Sequence, residues 1–487
     1  MAKAPSVRKN YIYNLIYQVM TLITPFITTP YISRVLGADG TGVQSYTNSV
    51  VQYFAILAAL GTASYGQREI ARHRDEIKIR SRLFWEIEVL CMATTAACLI
   101  IWLFVIGFAR EYRPYYVVLT MTLLAVAFDI SWFFGGLEQY SLIVLRNTAV
   151  KLVGIAMLFL FIRKKEDLLL YVALTAATGL LGNISMWGYL KGQVERPVLK
   201  ELCPLRHLKE TLVYFIPTIA TSVYTILDKT MLGWFSGENK SQNGYYEYAT
   251  GFVNMAKILI MSFNAVMSAR MSYLFGTGRM EEIHKRFQDS LDFVLLMAMP
   301  IMLGLAGIAA QFIPWFLGNG YLPVTFLMYV CSPLVLVVGL SDCIGSQILT
   351  PGGKRAQSGK VIVAGAMVNA CLNFLLIPHF AALGAAAASV AAECFITSLY
   401  LWLGRDFIKL KMLVRYGWRR LVAAVIMLGA VVWTGQFLEQ VRGLGPITTF
   451  IQIGAGAVVY FLVLLVMRDP FLYQYLGKIY RRLTGQP

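Results

Sequence analysis

Charged residues are scarce in this sequence. Asp, Glu, Lys and Arg make up 14% of its 487 residues, whereas they make up about 25% of a soluble globular protein. Hydrophobic residues make up 57%. Apolar runs of roughly 20 residues recur along the whole chain, and each is long enough to cross the hydrocarbon core of a bilayer. This composition excludes a soluble protein and predicts an all-α polytopic membrane protein.

The sequence also lacks the features of a disulfide-rich protein, a metalloprotein or a membrane-bound enzyme. Six of its seven cysteines fall inside apolar runs and Cys203 lies in a basic loop, with no spacing typical of disulfides or metal sites. The longest polar gap, about residues 193–210, is too short for a catalytic or nucleotide-binding domain. The first apolar run has no A-x-A cleavage site, which favours a retained span over a signal peptide. We therefore predict that the protein is not an enzyme and uses no cofactor or metal.

Acidic residues are fewer than basic ones, 26 against 43, which gives a net charge of +17. Such an excess is also found in nucleic-acid-binding proteins, but here Lys and Arg concentrate in every second loop between the apolar runs. This is the positive-inside pattern of membrane proteins. It predicts that both termini are cytoplasmic, that the basic loops contact anionic membrane lipids, and that nucleic acid is not a partner.

The apolar runs predict about fourteen transmembrane helices. These spans lie at residues 11–35, 43–66, 83–108, 114–135, 142–162, 167–190, 212–235, 247–272, 291–317, 323–348, 361–380, 382–404, 419–438 and 447–467.

Spans 1–6 and 7–12 are predicted to be two parallel repeats. An L-G…G…Y pattern joins span 1 to span 2 at residues 36–46, and it recurs between spans 7 and 8 at residues 232–248. Asp129 in span 4 corresponds in the same way to Asp342 in span 10. Copies in the same orientation are related by an axis along the membrane normal. The predicted regions are an N-terminal lobe (1–192), a cytoplasmic linker (193–211), a C-terminal lobe (212–405), and spans 13 and 14 with a cytoplasmic tail (406–487).

Three lysines, Lys151, Lys229 and Lys257, lie inside predicted spans. A lysine at the centre of a bilayer helix costs about 2.5–3.5 kcal/mol on insertion scales, so such residues mark ligand pathways. They predict a water-filled cavity between the two lobes, and a ligand that carries phosphate or carboxylate groups. The alternatives are a structural pair with an acid on another helix, or contact with a lipid head group. Further candidates for binding the same anion are Arg34, Arg270 and Asn254.

Five acidic residues also lie inside predicted spans, and they have two candidate roles. They either hold the lysines in ion pairs while the cavity is empty, or take up H⁺ or Na⁺ to drive transport. The matching positions of Asp129 and Asp342 favour a gate or a fold element, and ion coupling is assigned more readily to Asp292 and Glu393. The gating or coupling candidates are Asp129, Asp228, Asp292, Asp342 and Glu393.

Four separated segments together resemble one known family. They read T-P-F-I-T-T-P-Y-I-S-R-V-L-G (Thr24–Gly37), F-D-I-S-W-F-F-G-G-L-E (Phe128–Glu138), L-D-K-T-M-L-G (Leu227–Gly233) and L-N-F-L-L-I-P-H-F-A-A-L-G-A-A-A-A-S-V-A-A-E (Leu372–Glu393). The sequence is similar to the bacterial polysaccharide flippases of the Wzx type. These form the polysaccharide-transport branch of the MATE/MOP superfamily, which also contains multidrug (MATE) exporters and peptidoglycan lipid flippases.

This resemblance implies a function and a set of partners. Such proteins move an undecaprenyl-diphosphate-linked oligosaccharide between the leaflets of the bacterial plasma membrane by alternating access of two six-helix lobes. Candidate protein partners are a polysaccharide polymerase and export proteins. By likeness to peptidoglycan lipid flippases, spans 13 and 14 would form a groove for the polyprenyl tail. A peptidoglycan-precursor flippase and an ion-coupled multidrug exporter are the alternative functions.

Overall fold

The computed structural model describes residues 7–197, 199–408 and 410–473, and these residues form helices, turns and loops without a β-strand. Ten of the described helices are long and apolar enough to cross a membrane. Both observations confirm the prediction of an all-α polytopic membrane protein.

The chain divides into two compact units, Met1–Gly244 and Tyr245–Pro487. Nine helices lie wholly within the first unit, and α10 (Ser241–Gly276) begins at its end. In the described part of this unit they are α1 (Val7–Val35), α2 (Gly37–Ala59), α3 (Thr62–Arg72), α4 (Ile77–Phe108), α5 (Arg113–Ala127), α6 (Ser131–Gly136), α7 (Tyr140–Phe161), α8 (Leu168–Met186) and α9 (Leu208–Phe235).

The second unit contains the rest of α10 and six further helices in its described residues. They are α11 (Met280–Phe316), α12 (Leu322–Cys331), α13 (Leu334–Ile344), α14 (Arg355–Leu403), α15 (Leu410–Arg442) and α16 (Pro446–Val466). A π-helical turn, Gly345–Leu349, follows α13. The predicted tail beyond residue 473 lies outside the described residues, and the lobe boundaries read from the repeat stay predictions.

Within the first unit, α2 packs against α4, α5 and α9, while α1 packs on α7 and α5 on α8. Apolar side chains of α2, α4 and α5 form a buried core that includes Val51, Trp102 and Leu123. Within the second unit, α11 contacts α13, α15 and α16, and the last two form an antiparallel pair.

The predicted spans lie largely on helical residues, but three of them are interrupted. Span 4 is broken between α5 and α6, and span 10 is broken between α12 and α13. Spans 11 and 12 are separated at Ala381, whose non-helical backbone (φ 47°, ψ −125°) kinks α14 between them, in agreement with the predicted boundary. Span 2 is interrupted at Leu60 and Gly61, which both have positive φ, so that α3 is a separate helix. A Cβ on Gly61 would lie 2.8 Å from the backbone of Phe215. The break in span 2 therefore lies where Gly61 packs closely on α9. Hydropathy alone does not reveal this position.

Candidate functional site

Lys151 borders a small cavity in the first unit, between α1, α7 and α8. The cavity has a volume of about 150 Å³. Lys151 Nζ donates a hydrogen bond to Thr21 Oγ1 on α1 (2.5 Å). The rest of the lining combines hydroxyl and apolar side chains, namely Thr24, Thr28, Tyr171, Thr175 and Thr178 together with Ile32, Ile155, Leu158 and Leu174. The lysine predicted to lie in a polar interior thus borders a cavity whose lining includes several hydroxyl groups, although α1, α7 and α8 are largely apolar.

The threonine protons in this cavity are already committed to the helix backbone. Thr24 Oγ1 donates to the Met20 carbonyl (2.7 Å), and Thr178 Oγ1 donates to the Leu174 carbonyl (2.7 Å). Thr28 and Thr175 donate in the same way one turn back. The remaining threonine lone pairs can only accept, whereas Lys151 can only donate. The lining therefore suits a ligand that presents both an anionic oxygen and hydroxyl groups.

Lys257 lies on α10 in the second unit and is half-buried. Its charge is attracted by the carboxylate of Glu393 on α14. The structure thus brings one predicted cation and one predicted acid together from different helices. The two charges attract each other across α10 and α14, and the roles predicted for them, as an ion pair of the empty cavity or as a structural pair, stay predictions.

Asp228 and Lys229 are neighbours on α9 in the first unit. Asp228 is 5% exposed and its charge acts on the hydroxyl of Tyr53 on α2. Lys229 is half-buried, and its carbonyl accepts a hydrogen bond from Asn243 Nδ2 (2.7 Å). The next residue, Thr230, donates to Ser49 Oγ on α2 (2.9 Å). These contacts join α9 to α2 by polar groups.

The remaining predicted anion ligands have exposed side chains. Arg34 lies in the last turn of α1, where a cation is favoured by the helix dipole, and Asn254 lies on α10. Arg270 Nη2 donates to Glu282 Oε1 (3.2 Å), with the two side chains 46% and 29% exposed. An exposed pair of this kind contributes little to stability.

Asp129 and Asp342, which the repeat relates, both lie next to an irregular helical segment. Asp129 occupies the break between α5 and α6, and its Oδ1 accepts a hydrogen bond from the Ser131 N–H at the start of α6 (3.0 Å). Asp342 lies on α13 just before the π-helical turn, and its Oδ2 accepts from Asn264 Nδ2 on α10 (3.0 Å). The Asp129 carboxylate therefore contacts the start of α6, whereas the Asp342 carboxylate joins α13 to α10.

Asp292 belongs to a buried ion-pair cluster in the second unit. Its Oδ1 lies 2.8 Å from Arg420 Nη1, and Arg420 Nε lies 3.1 Å from Asp469 Oδ2. Arg420 and Asp469 are each 0% exposed. In this conformation, Asp292 joins α11 to α15 and to the segment after α16. Its predicted role in ion coupling stays a prediction.

The structure distributes the three predicted lysines over both compact units. Lys151 and Lys229 belong to the first unit and Lys257 to the second. A single cavity shared by all three therefore stays a prediction.

Residues 7–274 match the model of a family described as polysaccharide biosynthesis protein. The match covers more than half of the chain. The chain belongs to the polysaccharide biosynthesis protein family. This agrees with the resemblance carried by the four sequence segments.

Two curated proteins are similar to this chain over most of their length. A protein of Escherichia coli K12 named "Putative O-antigen transporter" is 23% identical over 406 residues, which cover 82% of this chain and 97% of that protein. A protein of Shigella dysenteriae with the same name is 22% identical and covers 81% of this chain and 99% of its own length. The relatives are named as transporters, not as enzymes.

Solved structures show the same fold. The lipid II flippase MurJ in an inward closed conformation superposes with a TM-score of 0.71 at 14% identity, over 94% of this chain and 99% of MurJ. An inward-facing multidrug resistance MATE family transporter of the MOP superfamily superposes with a TM-score of 0.61 at 12% identity, over 79% of this chain and 97% of that transporter. This family member therefore has a MOP-superfamily fold, as predicted from its sequence.

The structure also reveals polar residues that the sequence analysis of this family member missed. Arg420 and Asp469 belong to the ion-pair cluster, and Glu88 is buried on α4. Lys240 lies in the loop before α10, where it donates to the carbonyls of Gly233 and Gly237. Burial lowers the pKa of Lys240, against the opposing effect of two nearby carboxylates. In the sequence, these residues could have been found as single charged residues inside or next to apolar runs.

Proposed function

We propose that this protein translocates an undecaprenyl-diphosphate-linked oligosaccharide from the inner to the outer leaflet of the bacterial plasma membrane, for the biosynthesis of a surface polysaccharide. Only the polar head group crosses the protein, while the prenyl chain stays in lipid. The protein alternates between inward-open and outward-open forms, and each ligand state favours one of them. Both termini lie in the cytoplasm, in keeping with the distribution of Lys and Arg.

The observation that carries this proposal is the cavity beside Lys151, whose lining includes the hydroxyl groups of four threonines. An ammonium group there can pair with a diphosphate oxygen, and the threonine oxygens can accept hydrogen bonds from sugar hydroxyls. A cationic drug would be repelled by the lysine. The cavity therefore favours a glycan diphosphate over the substrates of a multidrug exporter.

Glu393 supplies the counter-charge of Lys257 when no ligand is present. A diphosphate that approaches Lys257 competes with this carboxylate, so that binding of the head group releases Glu393. The freed carboxylate is then available to bind H⁺ or Na⁺. We assign four further residues to the path of the same head group, namely Lys229, Arg34, Arg270 and Asn254.

We expect replacement of all three lysines, Lys151, Lys229 and Lys257, by glutamine to lower leaflet transfer at least tenfold. A hydrogen bond to a charged group contributes about 1.5–3 kcal/mol, and 1.4 kcal/mol corresponds to a factor of ten. Transfer is measured in proteoliposomes with prenyl-diphosphate-linked oligosaccharides, with and without ion gradients. Full activity of the triple variant would contradict the role of the lysines.

A matched triple variant controls for the loss of three positive charges. Lys78, Lys200 and Lys285 are exposed and lie at a helix start or in a loop, so their replacement by glutamine should leave transfer unchanged. The same assay compares a polysaccharide repeat unit with a peptidoglycan precursor. Faster transfer of the precursor would identify the protein as a peptidoglycan lipid flippase instead.

The prenyl tail is assigned to an apolar cavity of about 310 Å³ between α11, α15 and α16. Its lining is almost wholly aliphatic or aromatic, and it includes Pro300, Gly304, Met427, Val431, Ala457 and Phe461. The predicted spans 13 and 14 correspond to α15 and α16. A cavity on these helices supports the tail groove that the family resemblance implies.

We expect Ala457→Phe to reduce transfer of long-chain prenyl substrates several-fold and to have a smaller effect on short-chain analogues. The added ring fills part of the cavity on α16, whereas a short chain does not need that volume. Val458 is 59% exposed on the same helix and does not line the cavity, so Val458→Phe is the matched control. Equal losses for both chain lengths would argue against a tail site at this position.

A further inference from the structure

Glu88 is a buried carboxyl group that none of the functional roles assigned above uses. It lies on α4, eleven residues after Ile77, which is about 16 Å along the helix. The residue is 1% exposed, and neither Oε1 nor Oε2 has a hydrogen-bond partner. Buried polar atoms in proteins are nearly always paired, so two orphaned oxygens on one side chain need an explanation.

Among the residues that the structure describes, the groups that act on Glu88 are polar and include no compensating positive charge. The Asp129 carboxylate, in the break between α5 and α6, repels a negative charge on Glu88. The Cys91 thiol lies one turn further along α4, close enough for the charge of an ionised Glu88 to act on it. The Thr95 hydroxyl lies a further turn along and has no partner either. The Trp132 indole is close to Glu88 without meeting hydrogen-bond geometry.

These surroundings disfavour an ionised Glu88. Removing a carboxylate from water costs several kcal/mol unless a cation or hydrogen-bond donors compensate it, and a second carboxylate nearby adds repulsion. A protonated carboxyl group avoids most of this cost. A metal ion would need more oxygen ligands, and the described residues contain no group of three acidic, His or Cys side chains suited to one.

We propose that Glu88 is a proton-binding site of this protein. Its carboxyl group holds a proton while α3, α4 and α6 enclose it. When that packing opens and water reaches the side chain, the O–H bond breaks and the proton passes to water. Asp129 and the Cys91 thiol are the titratable groups that face it from the neighbouring break and from α4 itself.

The enclosure depends on close packing around Trp132. A Cβ on Gly66 of α3 would lie 2.5 Å from the Trp132 ring, and the ring stacks on Phe84 of α4 with centroids 5.7 Å apart. Because the enclosed form binds the proton and the hydrated form releases it, acid favours the enclosed form. The enclosed form is therefore fully favoured at low pH and loses stability as the pH rises through the titration of Glu88. This links proton uptake to the conformation of the first unit.

The test is infrared difference spectroscopy of the purified protein, without a lipid-linked substrate, as the pH is raised. We expect the wild type to lose a protonated-carboxyl band that Glu88→Gln lacks throughout. Glu76→Gln removes a carboxyl group whose side chain is 59% exposed and should leave the band unchanged. An identical band in Glu88→Gln and the wild type would overturn the proposal, whatever the protein transports.

A second variant keeps the test decisive if Glu88→Gln does not fold. Asp129→Asn removes the neighbouring like charge, so the band should titrate at a higher pH in the wild type than in this variant. An unchanged midpoint would overturn the proposal, because the titrating band would then not belong to the carboxyl group next to Asp129. Binding of radioactive Na⁺ that is lost in Glu88→Gln, with no carboxyl band in the wild type, would instead identify a sodium site.

Discussion

Arg420→Met is expected to lower the free energy of unfolding by about 3–5 kcal/mol, because removing one partner leaves buried charges uncompensated. Arg420 Nε and Nη2 contact the two carboxylate oxygens of Asp469 (3.1 and 3.5 Å), and its Nη1 contacts Asp292 (2.8 Å). Without the guanidinium, two carboxylates would share a largely dry site. Thermal unfolding of the purified protein in detergent measures the loss.

The neighbouring residue provides a matched control. Arg419 is more exposed, and its Nη1 donates to the Arg468 carbonyl (3.1 Å), so Arg419→Met should cost less than about 1 kcal/mol. The double variant Arg420→Met/Asp469→Asn should be more stable than Arg420→Met alone, since it removes one of the uncompensated charges. If Arg420→Met and Arg419→Met were equally stable, the ion-pair cluster would not hold α11 and α15 together.

Gly42→Ala is expected to cost about 3 kcal/mol or more and to displace α2 from the loop before α10. The added Cβ would lie 1.7 Å from the carbonyl oxygen of Lys240. Overpacking usually costs about 1–3 kcal/mol, and here the obstacle is backbone, which cannot rotate away. Gly244→Ala should act similarly, because its Cβ would lie 2.0 Å from the Ala38 carbonyl oxygen.

Gly179→Ala on α8 is the control for a glycine replaced inside a helix. A Cβ there meets nothing within 4 Å, and alanine is the better helix former by about 1 kcal/mol. This variant should therefore be as stable as the wild type or slightly more stable. If Gly42→Ala unfolds at the same temperature as Gly179→Ala, the close approach of α2 to Lys240 is not present in the protein.

The two glycines also show how the repeat and the structure are related. In the sequence, Gly42…Tyr46 and Gly244…Tyr248 form a short match. The sequence does not explain why glycine occurs at both positions. In the structure, Gly42 packs on the backbone of Lys240, and Gly244 packs on the backbone of Ala38. Each glycine of the repeated pattern thus packs against a residue within the other copy of the pattern. Sequence comparison found the positions, and only the contact explains why glycine is required.

The sequence by itself determined the class of the protein and the position of its helices. Scarce charge and long apolar runs require helices in a bilayer, because an unpaired backbone amide in lipid costs several kcal/mol. The same scarcity made Lys151 conspicuous, and the structure places it at a cavity whose lining includes several hydroxyl groups. Such conclusions depend on composition and local pattern, which the sequence contains in full.

Tertiary structure alone decided which polar groups meet. Arg420 pairs with Asp292, 128 residues away, and Glu88 has no hydrogen-bond partner although many polar residues precede and follow it. Hydropathy does not tell which face of an apolar helix another helix covers. Partners distant in the chain are chosen by the packing of those faces, so the pairing of a buried charge becomes visible only when the helices are assembled.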